Sequence, residues 1–142
     1  MSASADAPKP ASTVLIVRDG EGLEVLMVRR SAGMAFGASA WVFPGGKVAA
    51  ADADPAWDAL SSGSYDAYAR SLRVAAAREV FEESGILLAT RGADDLTADD
   101  CSVFEGERGR VEEDPRRFLE LIGSAGLSLS LEKLAPFAHW IT

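Results

Sequence analysis

The sequence predicts an α/β domain, and three observations predict it. Short β-branched and aromatic runs crowd the stretch before residue 45, one long helical pattern ends at Gly85, and alternating helix and strand signals follow. The length of 142 residues suits one domain with a real core. No internal repeat or low-complexity segment divides it.

Residues 1–11 are expected to form a disordered tail. They lack the basic and apolar regions of a signal peptide, so cytoplasm is the expected compartment. Residues 13–17 (TVLIV) and 23–28 (LEVLMV) are nearly continuous apolar runs joined by Asp19-Gly20-Glu21-Gly22, which reads as a hairpin of two inner strands. Arg29, Arg30 and Ser31 close the second strand, and small residues make 32–40 a loop. Trp41-Val42-Phe43 forms a third short strand that Pro44-Gly45-Gly46 stops. Asp54-Pro55 carries the N-cap and N1 signature of a short helix reaching about residue 60, and Ser61-Ser62-Gly63-Ser64 breaks it.

The main helix starts between residues 65 and 71 and runs to Ser84, with Gly85 suited to the left-handed position beyond it. A strand over 86–89 leaves it. The stretch 91–114 is dense in mixed charge, and a helix over 97–107 is weakened by Gly106 and Gly109. Asp114-Pro115 repeats the cap signature before a helix with Phe118, Leu119, Leu121 and Ile122 as its apolar face. One further turn over 131–134 and a strand over 137–142 complete the pattern.

The helix ending at Gly85 carries the chemistry. Glu79, Glu82 and Glu83 share one face, at i, i+3 and i+4, opposite Val74, Ala77, Val80 and Phe81. Glu82 and Glu83 sit at the negative end of the helix, where a carboxylate costs about 0.3–1 kcal/mol. Like charges four apart add a few tenths. A hard divalent cation among them would relieve both costs, since Mg²⁺ prefers oxygen ligands. The other reading is a surface helix with solvated glutamates.

Composition narrows the partners. A formal charge of −8 argues against nucleic acid or an anionic membrane, though not against a small anionic substrate held by metal and arginine. Cys101 and His139 are each the sole residue of their type, which excludes an internal disulfide, a Cys-rich zinc site and a two-histidine metal site. No apolar run has the length to span a bilayer. Oligomeric state is left open.

A strand ending in Phe43-Pro44-Gly45-Gly46, upstream of Arg78-Glu79-Val80-Phe81-Glu82-Glu83-Ser84-Gly85-Ile86, resembles the Nudix hydrolases. Their box reads G-x5-E-x7-R-E-U-x-E-E-x-G-U, with U a bulky aliphatic. Residues 78–86 match each fixed position of its second half, and Gly46 fits its first glycine. Six positions on stands Asp52 in place of glutamate, and 25 residues separate it from Arg78 instead of seven. An interruption there is similar to the coenzyme A diphosphatase-like branch, as are the Asp-Pro-x-x-Phe-Leu helix and Trp-Ile-Thr strand of residues 114–142. The signature of that branch matches at Leu26, Arg30 and Ser31, whereas Ala35 and Ser39 depart from it.

The resemblance implies an α/β/α sandwich with a mixed central sheet over residues 12–142, an insertion at about 53–70, and family strands and a final helix still to follow after Thr142. It implies hydrolysis of a P–O–P bond in a nucleotide-containing diphosphate, with coenzyme A or an acyl-coenzyme A the leading candidate and Mg²⁺ or Mn²⁺ as cofactor. Glu79, Glu83 and the Gly46 carbonyl would hold the metal, with Glu82 ligating it or acting as base. Glu82 and Arg78 are the candidate catalytic residues, with Arg78 positioning a glutamate, touching phosphate, or merely pairing with Glu82. Arg30, Gly45 and Gly46 are candidates for substrate binding. Asp52 is expected to cap the inserted helix, Trp41 and His139 to be structural, and the insertion to lie on the surface near the cleft. A binding module of the same fold, or a fragment without turnover, remains the alternative to an enzyme.

Overall fold

The computed structural model describes residues 7–33 and 37–141. The loop position Ala35 and the terminal Thr142 lie outside them.

Two long chain segments are shared between three short antiparallel ladders. The first supplies β1 (Ala11–Thr13) and β2 (Val17–Asp19), and the second supplies β3 (Leu23–Val25) and β4 (Val28–Arg29). β2 pairs with β3 across the expected turn, with Val17 opposite Val25. β4 pairs with β5 (Trp41–Val42), and β1 pairs with β6 (Gly45–Lys47), placing Thr13 opposite Gly45 and Ser12 opposite Gly46. Single backbone bonds, Val14 N–H to the Pro44 carbonyl and Leu26 N–H to the Ile16 carbonyl, carry the pairing past the ladder ends. The chain pairs from Pro10 onward, whose carbonyl accepts from Val48, so ordered structure begins within the stretch expected to be tail.

The hairpin is not the inner pair that its apolar runs suggest. Val17, Leu23 and Val25 are exposed, and among the described residues no element covers them. An apolar run records a preference for burial without naming the element that provides it.

Helix α1 (Ala67–Ser84) is the centre of the domain. Asp66 caps it, its carboxylate accepting from Ala69 N–H, and Gly85 ends it at φ 78°, a value a Cβ would oppose. Val74, Ala77 and Phe81 pack into the larger core, with Trp57, Phe118, Ile122, Leu127 and Leu129. Ala76 and Val80 face a smaller cluster with Val14. Ser12 donates its hydroxyl to the Leu72 carbonyl at 2.7 Å, fastening β1 to the helix.

Asp54-Pro55 starts a 3₁₀ turn (Pro55–Asp58) instead of an α-helix, following another at Ala50–Ala53. The expectation that residues 53–70 stay out of the core is overturned by Trp57, which is 1% exposed and lies against Phe118 with ring centres 5.6 Å apart. A large aromatic between polar turn residues still seeks the core when its helix neighbours leave a place for it.

After α1 the chain forms β7 (Ala89–Arg91) and β8 (Asp94–Asp95), then α2 (Ala98–Ser102), a 3₁₀ turn, α3 (Arg108–Glu113) and α4 (Arg116–Ser124). β9 (Ser128–Leu129) pairs with β7, and a parallel bridge joins Ser61 to Leu129, so both strand directions are present. The predicted turn over 131–134 is a 3₁₀ turn at Leu131–Lys133. The strand expected over 137–142 is absent from its described part. Phe137, Trp140 and Ile141 are exposed there, and an isolated extended segment has no edge to satisfy its backbone.

Candidate active site

The β1–β6 ladder and α1 meet at one cavity of about 550 Å³. Glu79, Glu82 and Glu83 line it from the helix, Gly45 and Gly46 from the ladder, and Arg29, Arg30 and Phe43 from the far wall. Arg108 and Glu112, both on α3, close the remaining side. Residues 37 positions apart in sequence, Gly46 and Glu83, thus share a cleft because β6 lies directly along the helix.

Gly46 is required by close approach. A Cβ at this position would collide with the Glu79 carboxylate, and one at Gly45 would collide with the backbone of Ser12 and Thr13. The Gly45 N–H reaches Glu83 Oε1 by a long hydrogen bond of 3.5 Å. The two glycines therefore serve different purposes, one strand pairing and the other the position of a carboxylate.

Arg78 is buried, its side chain 4% exposed, and each of its five donors is used. Nε and Nη2 grip Asp52 through two bonds of 2.9 Å. Nη2 also donates to the Lys47 carbonyl at 3.0 Å, while Nη1 reaches Glu82 at 2.7 Å and Glu79 at 3.0 Å. Burial by itself would lower the Arg78 pKa, but the bonds and charges of Asp52 and Glu82 prevail and hold it above its ordinary value. The pair with Glu82 read from the sequence is one of five contacts, which join Arg78 to Asp52, Lys47, Glu79 and Glu82.

Asp52 has the capping role read from the sequence and a second role that the sequence did not show. Its carboxylate does cap the 3₁₀ turn, accepting from Ala49 N–H at 2.7 Å, yet it is buried and takes the forked guanidinium as well. The six-residue count from Gly46 already pointed to it. The count was outweighed by the spacing to Arg78, which folding closes by bending the inserted chain back along α1.

Burial raises the pKa of Glu82, against the pull of Arg78, and Glu79 and Glu112 raise it further. Burial likewise raises Glu83, opposed by the Gly45 N–H and by the charge of Arg30, and assisted by Glu79 and Glu112. Desolvation is the largest cause in both cases, and neighbouring carboxylate charge adds to it.

Trp41 is 63% exposed, contrary to its expected place in the core, because it stands opposite Arg29 on the outward face of a two-residue ladder. His139 is exposed and outside the cavity lining. Cys101 accepts from Leu87 N–H at 3.5 Å and takes no part in the site. Arg108 and Glu112 were missed. They come from a mixed-charge stretch in which nothing in the pattern distinguishes a cleft-lining residue from a solvated one.

The donors fit a hard cation in chemistry: three carboxylates and the glycine strand face one cleft, with Glu79 seated where a Cβ at Gly46 would lie. Among the described residues no group of three or more acidic, histidine or cysteine side chains is placed to hold a metal ion by itself. Mg²⁺ does not need one, since it is commonly held by one or two carboxylates, waters and substrate phosphates. Among the described residues no helix is long and apolar enough to cross a membrane.

A sequence model of the NUDIX domain matches residues 8–117. The chain is 31% identical to an acyl-coenzyme A diphosphatase of Gallus gallus over 161 aligned positions, covering 84% of this chain and 43% of that protein. The crystal structure of a NUDIX hydrolase from Alicyclobacillus acidocaldarius superposes with a TM-score of 0.67 at 28% identity, covering 91% of this chain and 59% of that one. The chain thus spans about half the length of the proteins it matches. With an interrupted Gly46-to-Ile86 box folded into a single cleft, an α/β architecture shared with a solved NUDIX hydrolase, and a domain match over most of its length, the chain belongs to the Nudix family.

Proposed function

We propose that this domain hydrolyses a P–O–P bond in a nucleotide-containing diphosphate, with Mg²⁺ or Mn²⁺ as cofactor and coenzyme A or an acyl-coenzyme A as the leading substrate. The observation that carries the reading is the convergence of Glu79, Glu82 and Glu83 with Gly45 and Gly46 of β6 on one cavity. Similarity to an acyl-coenzyme A diphosphatase supports the substrate, as do Arg30 and Ser31 on the cavity wall.

Glu79, Glu82, Glu83 and the Gly46 carbonyl would hold the metal. Bound there, the ion would neutralise phosphate charge and lower the pKa of a coordinated water. The protein's own part is positional and acid–base. Arg78 fixes Glu82 and Glu79 by one donor nitrogen, so both carboxylates are oriented before substrate arrives. Glu82 is a ligand in one arrangement; in the other, left off the ion and with its pKa raised by burial, it is suited to accept a proton from the attacking water. Arg29 and Arg30 lie on the opposite wall, where they can meet phosphate oxygens.

One observation favours a binding module without turnover: Arg78 already engages Glu79 and Glu82, two of the carboxylates offered to the metal. The two readings separate in an assay with coenzyme A and ADP-ribose in heavy-oxygen water with Mg²⁺. Label in a phosphorylated product that disappears with EDTA supports the hydrolase. Binding of either compound without metal-dependent turnover supports the module.

A further inference from the structure

We propose that Arg108 is a substrate-binding residue, donating to the diphosphate from the α3 side of the cleft while Arg29 and Arg30 face it from the other. The inference rests on the diphosphate reading above and adds a residue to it.

Three observations carry it. Arg108 lines the cavity with its side chain 28% exposed, so its guanidinium is ordered yet reachable. It is held in place: Nε donates to the Glu82 carbonyl at 3.0 Å, and Nη1 pairs with Glu105. The end of α1 is shaped to receive it, since a Cβ at Gly85 would lie 2.8 Å from Glu105 Oε2 and 3.6 Å from Arg108 Cδ. The glycine that ends the glutamate helix thus leaves room for the Glu105 carboxylate that holds Arg108, with Arg108 itself at ordinary contact distance.

Electrostatics gives the arrangement a purpose. The cavity wall carries Glu79, Glu82, Glu83 and Glu112, and a diphosphate entering it needs cations on more than one side. An arginine bonded through Nε and Nη1 keeps Nη2 available, and a planar fork suits a phosphate oxygen better than an ammonium does. The competing account makes Arg108 only a cation capping the helix C-terminus. That role would affect stability and leave ligand affinity alone.

The test is calorimetric titration of the full chain with imidodiphosphate, a non-hydrolysable diphosphate, in Mg²⁺, with melting temperatures in parallel. Arg108→Ala is expected to weaken binding by about tenfold or more, as loss of a hydrogen bond to a charged group does. Wild-type affinity in Arg108→Ala, with a lowered melting temperature, overturns the inference in favour of the cap. If Arg108→Ala does not fold, Arg108→Lys carries the test, because it retains the charge over the helix end but not the fork. Weakened binding in that variant supports the inference, and unchanged binding overturns it. Wild-type protein that does not bind imidodiphosphate overturns the diphosphate reading itself, a result distinct from selective loss in the variants.

Discussion

Asp52 and Arg78, 26 positions apart, form a buried two-bond pair that ties the inserted chain to the glutamate helix. Removing Asp52 leaves two buried Arg78 donors unpaired, while Glu79, Glu82 and the Lys47 carbonyl keep the others. Asp52→Ala is therefore expected to destabilise the fold by about 1–3 kcal/mol. Urea unfolding measures this, and a loss under about 1 kcal/mol would mean the Arg78 charge is solvated.

Gly45 and Gly46 should respond differently to the same added methyl. At Gly46 the clash is with the end of a flexible side chain, Glu79, which can swing aside. At Gly45 it is with backbone, including Thr13 Cα at 2.8 Å. Gly46→Ala should keep most of its stability and lose metal affinity and turnover, whereas Gly45→Ala should lower the melting temperature by loosening the β1–β6 ladder. Equal melting losses in the two variants would contradict the assignment.

Mg²⁺ or Mn²⁺ should raise the melting temperature, approaching about 2.7 kcal/mol of added stability when the ion is at a hundred times its dissociation constant. Glu83→Gln should remove most of the shift while the ion-free protein melts as wild type or slightly higher, because a buried carboxylate crowded by Glu79 has been neutralised. An undiminished shift in that variant would place the ion elsewhere.

The Asp100 carboxylate accepts from both the backbone N–H and the hydroxyl of Thr97, each at 2.8 Å, and these bonds hold its pKa below 3.8. A depressed carboxylate adds stability that is fully present above its unfolded value and is lost as pH falls through the folded one. Asp100→Asn should thus melt below wild type at neutral pH. The difference should close as pH drops below about 4. A gap that persists into strong acid would show that neutral hydrogen bonds, and not the charge, support this cap.

Much of the fold was legible because its signals are local. Asp66 ahead of α1, Gly85 behind it and the glutamates on one face depend on neighbours within a turn or two. The cleft itself was legible through two local pieces, Phe43–Gly46 and residues 78–86, although nothing local joins them. What failed was long-range. Trp57 looked like part of a surface insertion until Phe118, 61 positions later, received it. Asp52 is the cap it looked like, but its pair with Arg78 depends on α1 and was not visible locally. Apolar runs in β2 and β3 predicted burial that no described element supplies. Asp114-Pro115 was nearly right: α4 starts one residue later than the signature implies, with Asp114 accepting from Arg116 N–H.

Core residues flank α1 on two sides, with Phe81 in one cluster and Val80 in the other. A helix held on two sides does not readily peel away, so the amides of its buried turns are expected to exchange with solvent mainly when the whole domain opens. Across the cleft, Arg29 sits on a ladder only two residues long, which can breathe on its own. The carboxylates are thus carried by the slowest part of the protein and the opposing arginine by one of the fastest. Adjustment to substrates of different bulk falls to the arginine side, while the spacing of the three carboxylates stays constant.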